Sequence, residues 1–405
     1  MASPNSILRR TTMLPALLTR VGDCFPGFLL VTVLSAGPAV CQDGPASLKI
    51  VKAAEPRPYN YARSFRAADG TIYLLGPFKT IDAGRKLELC TLADPHWGTL
   101  LNEGEMNTFF SRKGLFLALK NKVVCAPGGH CPGTMWRSTD DLKTFQQTAI
   151  IVVIPEAGKV DNGKPEEWVG LFFHRTIIEL RDGTLLAAMY GNFEHDTITP
   201  TNPRSKSESK YKLRAFVVRS KDQGNTWRYL STVAAPAPAV VDDTEGFNEW
   251  TIARLADGRL LGLIRTGHYT PLQASWSSDE GKTWTTPITP NGLGPGGADP
   301  FLILLSDGRL ALAYGEIVQP KGSREAYWKD YRTHNWPGAA KTSEADERRR
   351  CVLAIDADGS GRNWVSYTVA DYGPRSAYAT IFQVEPNIIV YQADMDLWRV
   401  ELPPR

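Results

Sequence analysis

The chain has 405 residues, 42% of them apolar, with 35 Gly, 28 Pro, 11 Trp, 14 Tyr and 15 Phe. Such a composition suits many short strands joined by tight turns over an ample core, and a chain of this length is compatible with one all-β unit. The formal charge of +3 comes from nearly balanced acids and bases, which argues against a nucleic-acid partner. No long heptad or uninterrupted helical pattern is present.

The N-terminal segment differs in kind. Arg9, Arg10 and Arg20 precede the apolar run FPGFLLVTVLSAGPAV, which ends in small residues before Cys41 and Gln42. This reads as an export signal over residues 1–41, removed from a secreted or periplasmic protein. The run is shorter than the ~20 residues of a spanning helix, so no membrane span is expected. LRRTTML is a faint echo of a twin-arginine signal, and PAVC is a poor lipidation site for Cys41. Beyond it lie Cys90, Cys125, Cys131 and Cys351, and an even number in an exported chain suggests disulfides. Cys125 and Cys131 bracket the short loop APGGH and are expected to pair. Zinc at these two with His130 would lack a fourth ligand.

From there an apolar strand, an Asp-Gly turn and a second apolar strand recur. The phrase appears around Asp69, Asp182, Asp257 and Asp307, with weaker copies near Lys113 and Pro386, making six. Asp-Gly between apolar runs predicts a hairpin whose two turn residues both take positive φ. Hairpins repeated at intervals of some tens of residues predict a radial or stacked array. A second phrase follows some of them: STDDLKTF at Ser138, SKDQGNTW at Ser220, SSDEGKTW at Ser277 and, with one residue extra, ADGSGRNW at Ala357. Each is expected to close an outer hairpin, the Asp bonding its own turn and the aromatic residue packing inward. Such an Asp is a staple and not a catalyst.

The pattern S-x-D-x-G-x-T-W along six Asp-Gly hairpins resembles the Asp-box, or BNR, repeats of the sialidase (neuraminidase) superfamily. The resemblance runs from about Pro58 to the C-terminus and implies an all-β, six-bladed β-propeller, placed here at residues 46–405. Asp-boxes also occur in propellers that only bind or scaffold, so the repeat speaks for fold before function.

In a propeller the ligand site lies on the axis, at the starts and ends of the innermost hairpins. In GFNEWTIARLADGRLLGLIRTG the turn brings Glu249 and Arg265 to one rim, as a structural ion pair or as part of a site. The resemblance extends to Asn248, Glu249, Asp257, Gly258 and Arg265. It implies that Glu249 is the base activating a tyrosine and that Arg265 is one of three arginines gripping a substrate carboxylate. It further implies Tyr378 as the nucleophile and Arg350, with Arg349 nearby, as a second such arginine. A neutral phenol paired with a carboxylate suits an anomeric carbon that bears a negative group. The third arginine is left among Arg63, Arg66 and Arg175, of which Arg175, behind His174, is in the better register. Glu105, Glu167, Glu194 and Asp299 are candidates for the acid, each competing with a role as a solvated loop charge.

The resemblance thus implies an exo-α-sialidase-like glycoside hydrolase acting on terminal sialic or related acidic sugars, as a monomer that needs neither cofactor nor metal. Two other readings stand beside it. One is a neutral-sugar glycosidase of the arabinanase type, with Glu249 paired to Glu179 or Glu167. The other is a glycan-binding propeller using Trp168, Trp250 and Tyr269 as stacking faces. Residues 197–212 and 321–350 are polar and turn-rich, hence loops, and the second carries Tyr327, Trp328, Tyr331 and Trp336, either as a wall over the site or as its own packing.

Overall fold

The computed structural model describes residues 48–56, 63–66, 72–75, 78–80, 90–91, 106–111, 113–126, 128–140, 144–157, 171–199, 211–237, 245–266, 270–294, 297–318, 348–373, 378–393 and 396–405. The chain divides into Met1–Gly44, which lies outside those residues together with the export signal read there, and Pro45–Arg405. The second unit holds every described strand, and the described residues contain no helix long and apolar enough to cross a membrane.

The architecture is all-β and mostly antiparallel. Strand β1 (Lys49–Pro56) opens the unit, followed by β2 (Arg63–Arg66), β3 (Ile72–Leu75), β4 (Phe78–Thr80) and β5 (Cys90–Thr91). Next come β6 (Met106–Phe110), β7 (Phe116–Lys120), β8 (Lys122–Val123), β9 (His130–Ser138) and β10 (Gln146–Val153). Strands β11 (Leu171–Glu179), β12 (Leu185–Gly191), β13 (Arg214–Ser220) and β14 (Thr226–Ala234) form a four-stranded meander, and β15 (Trp250–Arg254), β16 (Leu260–Ile264) and β17 (Gln273–Ser277) a three-stranded one. A further meander comprises β18 (Ala298–Leu304), β19 (Leu310–Val318), β20 (Arg348–Asp356) and β21 (Val365–Gly373). The last sheet joins β22 (Ala379–Glu385), β23 (Ile388–Ala393) and β24 (Asp396–Glu401) to β1, so the first strand pairs with the last, Lys49 opposite Glu401.

The leading strands are neighbours in sequence order. β6 lies beside β11, β11 beside β15, β15 beside β18 and β18 beside β22, while β2 lies beside both β22 and β6. At the outer side β10 pairs in parallel with β14 through Ile151–Thr226, Val152–Trp227 and Val153–Arg228, fusing two meanders into one nine-stranded sheet.

The core lies between successive sheets. Strand β16 is buried at every residue, which is why LLGLI is apolar throughout instead of alternating. One apolar layer joins Leu186 and Val217 to Trp250 and Leu260, the next joins Leu261 and Leu263 to Leu312 and Trp364, and a third joins Ala311 and Leu353 to Ile381 and Trp398. Burying a large aliphatic side chain in such a layer contributes roughly 1.5–3 kcal/mol before chain entropy is counted.

The inner turns correct the sequence expectation in one respect. At Leu180–Thr184, Leu255–Arg259 and Leu305–Arg309 the Gly amide bonds the carbonyl three residues back, and the flanking residues close a wider bridge. Only the Gly takes positive φ (Gly183 86°, Gly258 92°, Gly308 87°), and each Asp stays on the ordinary side. These are three-residue loops ending in a left-handed Gly, not two-residue mirror turns. The Asp is used for its side chain, accepting the amide two residues on (Asp257 from Arg259, 3.0 Å; Asp307 from Arg309, 3.0 Å).

The outer turns bond as expected. Ser277 Oγ donates to Asp279 (2.8 Å) and accepts the Gly281 amide (2.8 Å), while Asp279 accepts the amide of Thr283 (2.9 Å) and its hydroxyl (2.7 Å). Ser220 and Asp222 do the same with Gly224 and Thr226, and Trp227 is fully buried. In the degenerate copy Asp356 stands in the serine position and accepts the Gly361 amide (2.7 Å). Burial and neighbouring Asp358 push its carboxyl up, so the pair shares a proton more readily than two isolated acids would. The expected Cys125–Cys131 disulfide is present.

Candidate active site

Three strand ends and one bulge converge at Glu249. It immediately precedes β15, and the hairpin returns through β16 to Arg265, whose amide bonds the Glu249 carbonyl (2.9 Å). The Arg265 guanidinium donates to Glu249 Oε2 (2.8 Å). The Tyr378 hydroxyl, just ahead of β22, donates to Glu249 Oε1 (2.9 Å) across a chain separation of 129 residues. The Asp299 amide donates to Glu249 Oε2 (3.0 Å). The Glu249 side chain keeps 13% of its surface exposed, and Tyr378 is half-buried. Burial raises the Glu249 carboxyl, but Arg265, His174 and the hydrogen bonds from Arg265 and Tyr378 outweigh it and hold the group below the usual carboxylate range. It is therefore an ionised acceptor facing a phenol.

Behind this pair lies a buried layer. Arg175 and Asp299 form an ion pair, and both are non-glycine residues at positive φ (52° and 47°). Each occupies a register break, Arg175 between Phe173 and Ile177 against β12 and Asp299 between Ala298 and Phe301 against β19. Such bulges redirect a side chain that an unbroken strand would aim elsewhere, and they carry strain where a site needs it. Arg175 also donates to the Ala379 carbonyl (2.8 Å) and the Thr380 hydroxyl (3.0 Å), with its guanidinium 5.9 Å from the centre of the Tyr378 ring. His174 Nε2 lies 3.0 Å from Asp299, and its Nδ1 lies 3.0 Å from the Trp250 amide nitrogen and 2.9 Å from the Trp250 carbonyl oxygen. Glu245, buried, accepts from Asn248 (2.7 Å) and approaches Arg265 (3.8 Å). Beneath the site Thr251 Oγ1 links Thr176 of β11 (3.0 Å) to the Leu302 amide of β18 (3.2 Å), locking three leading strands together.

Of the sequence candidates, Tyr378, Glu249, Arg265 and Arg175 thus meet. Arg350 does not join them among the described residues. It stands on β20 opposite Glu316 and Asp371, at the end of the sheet where β18 begins, and its charge acts on the half-buried Glu316 carboxyl, which burial pushes up. Asp299 is not a solvated loop charge: at 2% exposure it is walled in by His174 and Arg175. Glu194 is exposed, and Glu105, Glu167, Trp168 and Tyr269 lie outside the described residues. Glu179 ends β11 beside its turn, five residues or about 16 Å of strand from His174, and so is not a partner for Glu249. Trp250 is fully buried, with its indole donating to the Met189 carbonyl (2.8 Å), and offers no stacking face. His174, Glu245 and Asp299 were the residues sequence reasoning undervalued, because their roles rest on contacts between sheets.

His174, Glu249 and Asp299 place one ligand atom each within 4.8 Å of one another. Arg265 and Arg175 already supply the positive charge those carboxylates need, so the donor set is that of an ion-pair network more than of a cation cage.

A profile of the BNR repeat-like domain matches residues 110–390. The chain belongs to the BNR repeat-like domain family. This is the repeat of the sialidase-type superfamily that its outer turns resemble. No curated protein sequence matches the chain. Among solved structures, a protein of unknown function from Dyadobacter fermentans is 16% identical over 88% of this chain and 99% of its own, with a TM-score of 0.48. A Hadza microbial sialidase is 17% identical over 74% of this chain, which spans 52% of that protein, with a TM-score of 0.47. An α-L-arabinanase of Penicillium chrysogenum, solved with arabinobiose, is 11% identical over 88% and 98%, with a TM-score of 0.48.

Proposed function

We propose that this BNR repeat-like protein is an exported glycoside hydrolase of the exo-α-sialidase type, removing terminal sialic or related acidic sugars with retention. The hydrogen bond from Tyr378 to Glu249 carries the reading. In it the Tyr378 oxygen attacks the anomeric carbon as Glu249 takes the phenolic proton. The aglycone oxygen leaves with a proton from an acid, and water then cleaves the glycosyl–tyrosine bond. Arg265 meets the substrate carboxylate and Arg175 supports the tyrosine, while Arg350, on β20 at the end of the sheet where β18 begins, is a second arginine for that carboxylate only if substrate extends to it. The six leading strands, each beside the next, support six blades about this site. The apolar run behind the N-terminal arginines and the Cys125–Cys131 bridge both suit an oxidising compartment.

A fluorogenic aryl α-N-acetylneuraminide tests the reading. Wild-type protein should release the fluorophore, and Tyr378→Phe should lower kcat/KM on the order of 100-fold or more. One observation favours a second reading: Glu249 and Asp299 oxygens lie within 4.8 Å, near the ~5–5.5 Å carboxyl separation of retaining enzymes for neutral sugars. An aryl arabinofuranoside cleaved equally by wild type and Tyr378→Phe, with the sialoside untouched, would establish it instead.

A further inference from the structure

His174 has the geometry of a group built to be held in either protonation state. Its side chain is 8% exposed and packs edge-on against Tyr190 of β12 (5.8 Å between ring centres). Nε2 faces one Asp299 carboxylate oxygen at 3.0 Å. Nδ1 lies 3.0 Å from the Trp250 amide nitrogen and 2.9 Å from the Trp250 carbonyl oxygen. A neutral ring with its proton on Nε2 accepts the amide at Nδ1, whereas a doubly protonated ring donates to the carbonyl. The amide belongs to the peptide bond between Glu249 and Trp250, and the Asp299 backbone N–H is itself bonded to Glu249. One imidazole therefore ties the backbone that carries Glu249 to the residue that hydrogen-bonds its side chain.

We propose that His174 is a positioning residue: bridging Asp299 and the main chain of Trp250, the residue next to Glu249, it holds Glu249 as the ionised acceptor of the Tyr378 hydroxyl. Among the described residues the titratable groups around Glu249 are Arg265 after β16 and Tyr378 ahead of β22, both bonded to it, with Glu245 beside Arg265, and Asp299 of β18 flanked by His174 and Arg175 of β11. An imidazolium at His174 would add a third cation beside the two guanidiniums among these described groups. A positive charge there lowers the Glu249 carboxyl and so favours its ionised form. An uncharged amide in its place preserves the bond to Asp299 and forfeits that charge.

The kinetic part of the inference rests on the functional reading above; the structural part does not. The Glu249 side-chain carboxyl carbon is followed by 13C NMR against pH in the full-length protein, its resonance assigned by loss in Glu249→Gln. In His174→Gln the midpoint should rise by about one pH unit relative to wild type, or to the lowest pH at which folded wild type is still ionised. Asp299→Asn, which removes a negative charge, should displace it the other way or keep it below that limit. If sialoside turnover is present, the acid limb of kcat/KM in His174→Gln should move up by the same amount, kcat falling about tenfold with KM little changed. A Glu249 carboxyl that titrates as in wild type in His174→Gln, whatever the loss of thermal stability, overturns the proposal. Should that variant not fold, an upward shift in Asp299→Asn overturns it. Absence of any turnover would sink the functional reading and leave the NMR result to decide this one.

Discussion

Arg265 is a cation shared by two carboxylates, the partly buried Glu249 and the buried Glu245. Arg265→Ala removes that charge from both, and breaking such a pair from one side costs about 3–5 kcal/mol, to be read from urea unfolding at neutral pH. Arg265→Lys should fall between that and wild type, since one ammonium does not reproduce a guanidinium fork. Because Glu249 is held below the usual carboxylate range, its contribution is complete above that range and fades as pH falls through the folded value. Weakening the cation reduces that contribution at neutral pH, and acid removes it from both proteins, so the deficit of Arg265→Lys should shrink as the medium is acidified from about pH 7 to pH 4. At this scale the sequence was readable where one hairpin made the contact: Glu249 and Arg265 are opposite ends of one Asp-Gly turn. Tyr378 came only through the family resemblance. Asp299 stood among the acid candidates, but its pairing with His174 and Arg175 could not be read, since that needs two bulges on different sheets to face each other.

The outer turns act between sheets as well as within them. The glycine of each lies against an earlier sheet: Gly224 against Leu117 of β7, Gly281 against Leu186 of β12 and Gly361 against Leu261 of β16. A Cβ at Gly361 collides with Leu261, whereas one at Gly258, with a similar positive φ, meets nothing. Gly258→Ala should cost about 1–2 kcal/mol of backbone strain, and Gly361→Ala a further 1–3 kcal/mol or so of overpacking. Thermal unfolding of the two variants side by side measures the difference. Burial raises the Asp279 carboxyl, but the bonds from Thr283 and Ser277 together outweigh it and bring it to about 2. Its stabilisation should persist at neutral pH and disappear as pH falls toward that value. Asp279→Ala should then lower the unfolding midpoint by about 2 °C at pH 7, and by less near pH 2. The strength of this motif in sequence has a physical origin, because every one of its bonds is made within five residues.

At the scale of the molecule, the unit is closed by its own beginning. β1 pairs with β24 over five residue pairs, with Leu48 and Ile50 packed on the layer that holds Trp398 and Val400. Removing residues 45–56 should expose the β24 edge and that apolar face, lowering the unfolding midpoint and producing aggregates visible in size-exclusion chromatography. Ile50→Asp tests the packing alone and should cost about 2–4 kcal/mol. This closure was not legible, since the six Asp-Gly phrases announce hairpins but nothing local in KIVKAAEP names a partner some 350 residues away. The seam between β10 and β14 has a different outcome. Two outer strands that would each present an open ladder of amides and carbonyls satisfy one another, so over Ile151–Val153 and Thr226–Arg228 a stranger's strand has nowhere to dock. Amide exchange there should be slow on both strands and should quicken together, because neither can lose its partner without stripping the other.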